Sequence, residues 1–455
     1  MKKARKKWWV LLVTTSGTSL VFLDNTVMPV ALPTIQSQLG FSSISLVWVV
    51  NAYLLALTSF LLIGGRLCDL FGKRVLYAVG LCLFGGGSWL AGMAFYKWMI
   101  LLGRVIQGMG GSLIVPTTSA LLISTFPEGE RAKAIGINTG ISSLFMIMGP
   151  AVGGVLTQYL SWRSIFFLNI PLVAFGLVTT FWILQPGKRR HEPFHFLGAL
   201  TMMVAVITLV VGLMQANDWG WTSPATLSLL GLSPFFFFLF YWISVHIDHP
   251  IIDFHLFKKR LFTVANISIF LTQVVVMITV LWAIYFQEQL NFSIILTGLI
   301  IFTAVSPVFL MAPLGGFVAD RYGPRIPMLT GFSILTFALF WLLFTINVGS
   351  IPLMLPGLLG FGCGIPLIMS PTVALGLSQA PREKLGAASG ITTETRQLAA
   401  TIGIALLSSV YYTTEAKTGS HAYAFTMSSF VAGLFAFGGV LLVLFGMRGV
   451  RSFRG

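Results

Sequence analysis

The chain has 455 residues, of which 56% are apolar and only 9% charged, against about 25% charged in an ordinary soluble domain. With a mean hydropathy of +0.89, this composition excludes a soluble enzyme, a disordered chain and a disulfide scaffold. At about 20 apolar residues per spanning helix it can fill about fourteen spans. The formal net charge of +15 would suit nucleic acid in a soluble protein. Here, however, Lys and Arg sit in short segments between apolar stretches, as expected of loops beside anionic lipid, so membrane lipid and not nucleic acid is the expected partner.

In chain order, Met1 to Trp9 is strongly basic before the chain turns apolar, which resembles the front of a signal peptide. The apolar run continues past Asp24 to Pro33 with no small-residue cleavage site, and so predicts a first span with its amino end in the cytoplasm. Further spans are predicted near 46–65, 75–95, 99–122, 134–159 and 165–184. A polar break from Gln185 to Glu192 follows the sixth. Two more spans lie near 196–214 and 226–246, then six near 261–286, 296–317, 326–346, 351–377, 386–411 and 423–446.

The predicted fold is an all-α integral membrane protein of about fourteen transmembrane helices. A six-helix half over 1–184 and a second over 261–455 flank two inserted helices with cytoplasmic linkers over 185–260. Charge position tests the count, because cytoplasmic loops collect Lys and Arg. With an inside start, all but five of the 28 basic residues fall on the cytoplasmic side; Lys97, Arg163 and Lys417 fall outside, and Arg104 and Arg396 fall inside spans. A missed span would reverse this pattern downstream, so both termini are expected in the cytoplasm of a bacterial cell, in its inner membrane.

The halves are copies. Gly65-x-x-x-Asp69-x-x-Gly72-x-Arg74 recurs with the same spacing as Gly316-x-x-x-Asp320-x-x-Gly323-x-Arg325. Gly108 and Gly110 match Gly362 and Gly364, and Pro127 matches Pro381. Same-direction repeats of six spans are the architecture of one transporter class, with the substrate path between the halves.

Six motifs carry a resemblance over nearly the whole chain: Leu23-Asp24-Asn25-Thr26-Val27-x-Pro29 in span 1, the Gly65 to Arg74 loop, and Arg104-x-x-Gln107-Gly108 in span 4. Then come Gly149-Pro150-x-x-Gly153-Gly154 in span 5, Trp162-Arg163-x-x-Phe166-Phe167-x-Asn169 before span 6, and Arg396-Gln397 in span 13. In this order the chain resembles the major facilitator superfamily, in its fourteen-span drug:proton antiporter branch. The resemblance implies a cytoplasmic latch in the repeated loop, where Gly65 permits close helix contact. It implies an exporter's bend in span 5, where Gly149 and Pro150, with Gly140 before them, are expected to break the helical ladder. Small-residue packing with no directional meaning is the competing reading of span 5, and a plain topology anchor that of the loop. The substrates implied are lipophilic, often cationic small molecules, and the chain is expected to act as a monomer.

Charge inside a span is expensive and usually functional. Among the thirteen acids only Asp24 and Glu394 lie well inside spans. Asp24 is about 24 Å along its helix from Trp8, and Arg104 about 10 Å below the outer surface from Lys97. In a core about 30 Å thick these depths agree, which allows an Asp24–Arg104 pair, whether functional or merely structural. Glu394 lies near the midplane and faces nearly opposite to Arg396. A carboxylate so placed can hold either a proton or a cation, and competition between the two is antiport. Glu394, Asp24 and Arg104 are therefore the candidates for coupling, with Gln107, Arg396 and Gln397 as further polar lining.

No cofactor is expected beyond the proton gradient as energy source. The nearest approach to a phosphate loop, Gly65 to Lys73, has the wrong glycine spacing and Arg74 where Ser or Thr should stand. Every His sits in or at the edge of a predicted loop, which leaves no Ser–His arrangement for an intramembrane hydrolase. His191 with His195, or His246 with His249, have spacings a metal could use, but no metal site is expected, and Cys68, Cys82 and Cys363 form no paired spacing. An exporter of one lipid or siderophore-like metabolite, or a receptor or scaffold on the same fold, are the alternatives.

Overall fold

The computed structural model describes residues 3–184, 196–247, 252–381 and 385–448, and within them leaves out a few side chains, Asp69 among them. All regular structure among these residues is helical. The first half of the chain forms α1 (Lys3–Leu39), α2 (Ser43–Leu46), α3 (Trp48–Phe71), α4 (Lys73–Gly92), α5 (Lys97–Thr125), α6 (Glu128–Tyr159), α7 (Arg163–Phe167) and α8 (Asn169–Ile183). Next come α9 (Phe196–Trp219) and α10 (Pro224–Val245), separated by a turn in which Gly220 has φ 90°. The second half forms α11 (Arg260–Val276), α12 (Ile278–Glu288), α13 (Ile294–Val305), α14 (Val308–Tyr322), α15 (Arg325–Thr345), α16 (Ile351–Ser378), α17 (Leu385–Thr418) and α18 (His421–Gly446).

Among the described residues twelve helical stretches are long and apolar enough to cross a membrane; α7 with α8, α11 with α12, and α13 with α14 each act as one such stretch. The other two long helices are α3, whose described apolar stretch is Trp48–Leu61, and α17. At 34 residues, α17 is diluted by Glu394, Arg396, Glu415 and Lys417 and by many hydroxyl side chains. Several predicted spans are longer in the structure: that near 134–159 begins at Glu128, and that near 386–411 ends at Thr418. Serine caps set four helix starts, with the Ser42, Ser223, Ser293 and Ser420 hydroxyls each accepting the backbone N–H three residues on.

The chain divides into two compact units, Met1–Ile207 and Thr208–Gly455. In the first, α1 packs along α6 and also touches α5 and α8, while α5 lies between α3 and α4. In the second, α16 lies against α15, α14 and α13, and α11 packs on α17, α16 and α18. Glycines make the close contacts, since they let backbones approach without side chains in the way. A Cβ on Gly108 would sit 2.4 Å from the Tyr53 carbonyl oxygen of α3, and one on Gly110 2.5 Å from the Phe84 nitrogen of α4. Their repeat partners do the same work: a Cβ on Gly362 would sit 2.1 Å from the Ala304 carbonyl oxygen, and one on Gly364 2.8 Å from that of Gly331.

The repeat extends to backbone torsions. Gly72, between α3 and α4, has φ 88°, and Gly323, between α14 and α15, has φ 86°. Only glycine takes such values without strain. The tight glycine at this loop is one residue earlier than expected. A Cβ on Gly65 would meet Pro116 at an ordinary 3.9 Å, whereas one on Gly64 would come within 2.3 Å of the Ser112 carbonyl oxygen; likewise Gly315 is tighter than Gly316. One residue turns a helix by about 100°, so the neighbour, and not the motif glycine, faces the adjoining helix.

Candidate functional site

The first unit holds a buried charge network on five helices. Asp24 of α1 and Arg104 of α5 are 0% and 1% exposed, and Arg104 Nη1 lies 2.5 Å from Asp24 Oδ2. The same nitrogen donates to Gln107 Oε1 at 3.0 Å, and Arg104 Nε donates to the Val49 carbonyl at 2.9 Å. The guanidinium also lies over the Tyr53 ring, 4.3 Å from its centroid, an arrangement that stabilises a desolvated cation. The other carboxylate oxygen, Oδ1, accepts from Gln107 Nε2 at 3.3 Å and from Asn169 Nδ2 at 3.5 Å. Both amides also donate to the Ser88 hydroxyl, at 2.7 and 3.2 Å. Every charge and amide in this group has a partner, so it is electrically neutral and its geometry is over-determined.

The Gly149-Pro150 segment does not interrupt its helix: α6 runs from Glu128 to Tyr159 through Pro150. Pro150 has no N–H to give the Met146 carbonyl one turn back, but the Thr26 hydroxyl of α1 donates to that carbonyl at 2.8 Å. The ladder is thus completed from the neighbouring helix. Gly149 and Gly153 permit this approach, because a Cβ there would sit 2.0 Å from Thr26 Oγ1 and 2.6 Å from the Val27 carbonyl oxygen. Gly154 is buried as well, while a Cβ on Gly140 would meet nothing within 4 Å. The segment is a packing seam between α1 and α6, with α6 helical throughout.

The Asp69 side chain of the repeated loop lies outside what the structure describes. Arg74 Nη2 donates to the Phe181 carbonyl at 3.0 Å, and the guanidinium covers that residue's ring at 5.1 Å, so it closes the end of α8 within its own unit. In the second copy Asp320 is exposed and Arg325 half-buried.

In the second unit α17 carries Glu394, 2% exposed, and neither of its carboxylate oxygens has a hydrogen-bond partner among the described residues. The next residue, Thr395, donates to Asn266 Oδ1 of α11 at 3.3 Å, and Asn266 Nδ2 donates to the Phe262 carbonyl. Gln397, one turn from Glu394, is buried, and Arg396 is half-buried. The two buried acids therefore differ sharply. Asp24 is fully paired, while Glu394 is buried with neither carboxylate oxygen partnered among the described residues.

Sequence reasoning pairs Asp24 with Arg104 and names Gln107 only as polar lining; it misses that Gln107, Asn169, Ser88 and Tyr53 belong to the same group. Asn169 offers a signal, an amide in the otherwise apolar span 6; Ser88, among the glycines of α4, offers none.

The model of the Major Facilitator Superfamily matches residues 14–404 of the chain. The chain is 33% identical over 417 residues to the multidrug resistance protein Stp of Mycobacterium tuberculosis, covering 89% of this chain and 76% of that protein. It is 28% identical to the riboflavin transporter RibZ of Clostridioides difficile, covering 98% of each, and 29% identical to the tetracenomycin C resistance and export protein of Streptomyces glaucescens, covering 88% of this chain and 75% of that one. Among solved structures, a D-xylose-proton symporter shares its fold with a TM-score of 0.67 at 18% identity over 98% of each chain. A POT family transporter in complex with 5-aminolevulinic acid does so with a TM-score of 0.69 at 15% identity, covering 98% of this chain and 96% of that one.

Proposed function

Because the chain belongs to the Major Facilitator Superfamily, we propose that it is a secondary transporter, not an enzyme, that exports lipophilic and often cationic small molecules in exchange for protons. In this reading α3 and α17 join the twelve apolar stretches to make fourteen spans, with α9 and α10 as the inserted pair. Both termini lie in the cytoplasm, and a monomer resides in a bacterial inner membrane. The predicted linker 185–195 and residues 248–251 lie outside the described residues, so this topology rests on the loop charges.

One observation carries the mechanism: Glu394 is buried with no hydrogen-bond partner among the described residues, whereas Asp24 is held by Arg104, Gln107 and Asn169. A lone carboxylate can give up its proton to receive a cationic substrate and take a proton back after the substrate leaves. Asp24 cannot change charge without stranding Arg104. Glu394 is therefore the coupling group, and the Asp24 network fixes the relative positions of α1, α3, α4, α5 and α8. The repeated loop, with Asp69 and Asp320, serves as the cytoplasmic gate.

Everted vesicles test this. Export is expected to persist without ATP and to stop when the proton gradient is collapsed. Glu394→Gln is expected to yield a folded protein that loses cationic substrates and keeps some export of neutral ones. Normal cation export with normal pH dependence in that variant refutes the assignment and moves coupling to Asp24. The full-length likeness to RibZ favours, as a second reading, a carrier dedicated to one metabolite; a screen in which a single compound alone is exported would distinguish it.

A further inference from the structure

The second unit carries a titratable cluster that this coupling scheme does not use. His421 opens α18, one residue after the Ser420 cap. Its Nδ1 lies 3.2 Å from the Tyr411 hydroxyl and 3.3 Å from Glu415 Oε1, both on α17. One ring nitrogen thus faces two oxygens, and it can serve them only in turn. Without a hydrogen, Nδ1 accepts from the Tyr411 hydroxyl; with one, it donates to the Glu415 carboxylate.

Other groups converge here. Glu288, at the end of α12, is within electrostatic reach of both His421 and Glu415. Among the described residues Tyr285 and Tyr412 also face the cluster. The Tyr285 hydroxyl is already committed to Asn347 Oδ1 at 2.6 Å. The Tyr412 hydroxyl is not: its side chain is 5% exposed, it faces both Glu288 and Glu415, and it has no hydrogen-bond partner among the described residues. Glu415 Oε2 is likewise buried and unpartnered.

Buried polar atoms are mostly paired in folded proteins, so an orphaned carboxylate oxygen and an orphaned hydroxyl within one electrostatically coupled cluster point to something that binds there. With His421 neutral, two carboxylates give the cluster a formal charge of about −2, which favours a cation. Among the described residues no three His, Cys, Asp or Glu side chains are arranged to hold a metal ion. The geometry fits a proton.

We propose that Glu288, Glu415 and His421, with Tyr411 and Tyr412, form a proton-binding site at the outward end of the second unit, separate from Glu394. The two sites are about 30 Å apart along α17. A proton arriving on Nδ1 breaks the hydrogen bond from Tyr411 and makes one to Glu415, so the start of α18 exchanges one turn of α17 for the next, and the cluster's charge falls to about −1. Its outward placement and its role rest on the fourteen-span, proton-coupled reading.

The test uses the full chain in liposomes with ethidium as the exported probe. The pH difference across the membrane is held fixed, while outer pH is moved between about 5 and about 8. The wild-type rate is expected to change by at least about fivefold over that range. His421→Gln still offers hydrogen bonds but binds no proton; it and Glu415→Gln are each expected to flatten the change to under about twofold. Either variant overturns the proposal if it unfolds at the wild-type temperature and keeps the wild-type profile, so misfolding of one leaves the other to decide. Wild-type export indifferent to the gradient removes the proton-coupled reading and this site together. Gradient-driven wild-type export with unaltered profiles in the variants removes this site alone.

Discussion

Replacing Asp24 by Asn would remove one charge from a pair with no access to water. The substitution keeps the side chain's shape and one acceptor oxygen. The guanidinium also keeps the Val49 carbonyl at 2.9 Å, Gln107 Oε1 at 3.0 Å and the Tyr53 ring at 4.3 Å. What it loses is the neutralising charge at 2.5 Å. Removing one partner of a buried ion pair costs about 3–5 kcal/mol, and the retained partners put the expected loss at the lower end, about 3 kcal/mol. Further strain comes from the Gln107 and Asn169 amides, which donate to Asp24 Oδ1 and would meet an amide that donates too. Thermal unfolding of the solubilised protein reads the loss directly, and export of neutral and cationic substrates should fall together. A second change, Arg104→Gln, removes the stranded charge and should recover about half of the lost stability. Asp24→Asn unfolding at the wild-type temperature, or a double variant less stable than the single one, refutes the reasoning.

Three further outcomes follow from packing and topology. Thr26→Val keeps the side chain's shape but leaves the Met146 carbonyl unpaired, for an expected loss of about 1–2 kcal/mol; in a Pro150→Ala background, where the backbone N–H returns, thermal unfolding should show a smaller loss. Gly362→Ala forces a Cβ to 2.1 Å from the Ala304 carbonyl oxygen and should cost about 1–3 kcal/mol, while Gly140→Ala, where a Cβ would meet nothing within 4 Å, should leave the unfolding temperature nearly unchanged. Single cysteines at positions 218 and 417 should react with an impermeant label from outside and one at 258 only from inside; labelling of position 218 solely from the cytoplasm would end the fourteen-span topology.

Much of the architecture was legible because the membrane makes sequence patterns blunt. An apolar run of about 20 residues has few folds open to it, and the uneven distribution of Lys and Arg between alternate loops orders such runs across the bilayer. The duplicated loop predicted two similar halves, and the glycines of α5 and α16 make matching contacts in each unit. The depths of Asp24 and Arg104 followed from helical rise alone, and their meeting needed only that the two helices be neighbours.

What the linear pattern could not decide was which way each helix faces. A span apolar on all sides has no polar face to orient it. For that reason the contact glycine came out one residue off, at Gly65 in place of Gly64. Ser88 and Tyr53 could not be assigned to the Asp24 network for the same reason. The repair of the Met146 carbonyl comes from Thr26, a residue 120 positions away, so an open gap in the hydrogen-bond ladder was the natural expectation from Pro150 taken locally. The isolation of Glu394 is likewise a property of its surroundings. The sequence by itself determined that a carboxylate lies well inside a span; only the packing of neighbouring helices decided that no described residue hydrogen-bonds to it, because a partner's absence depends on every side chain within reach.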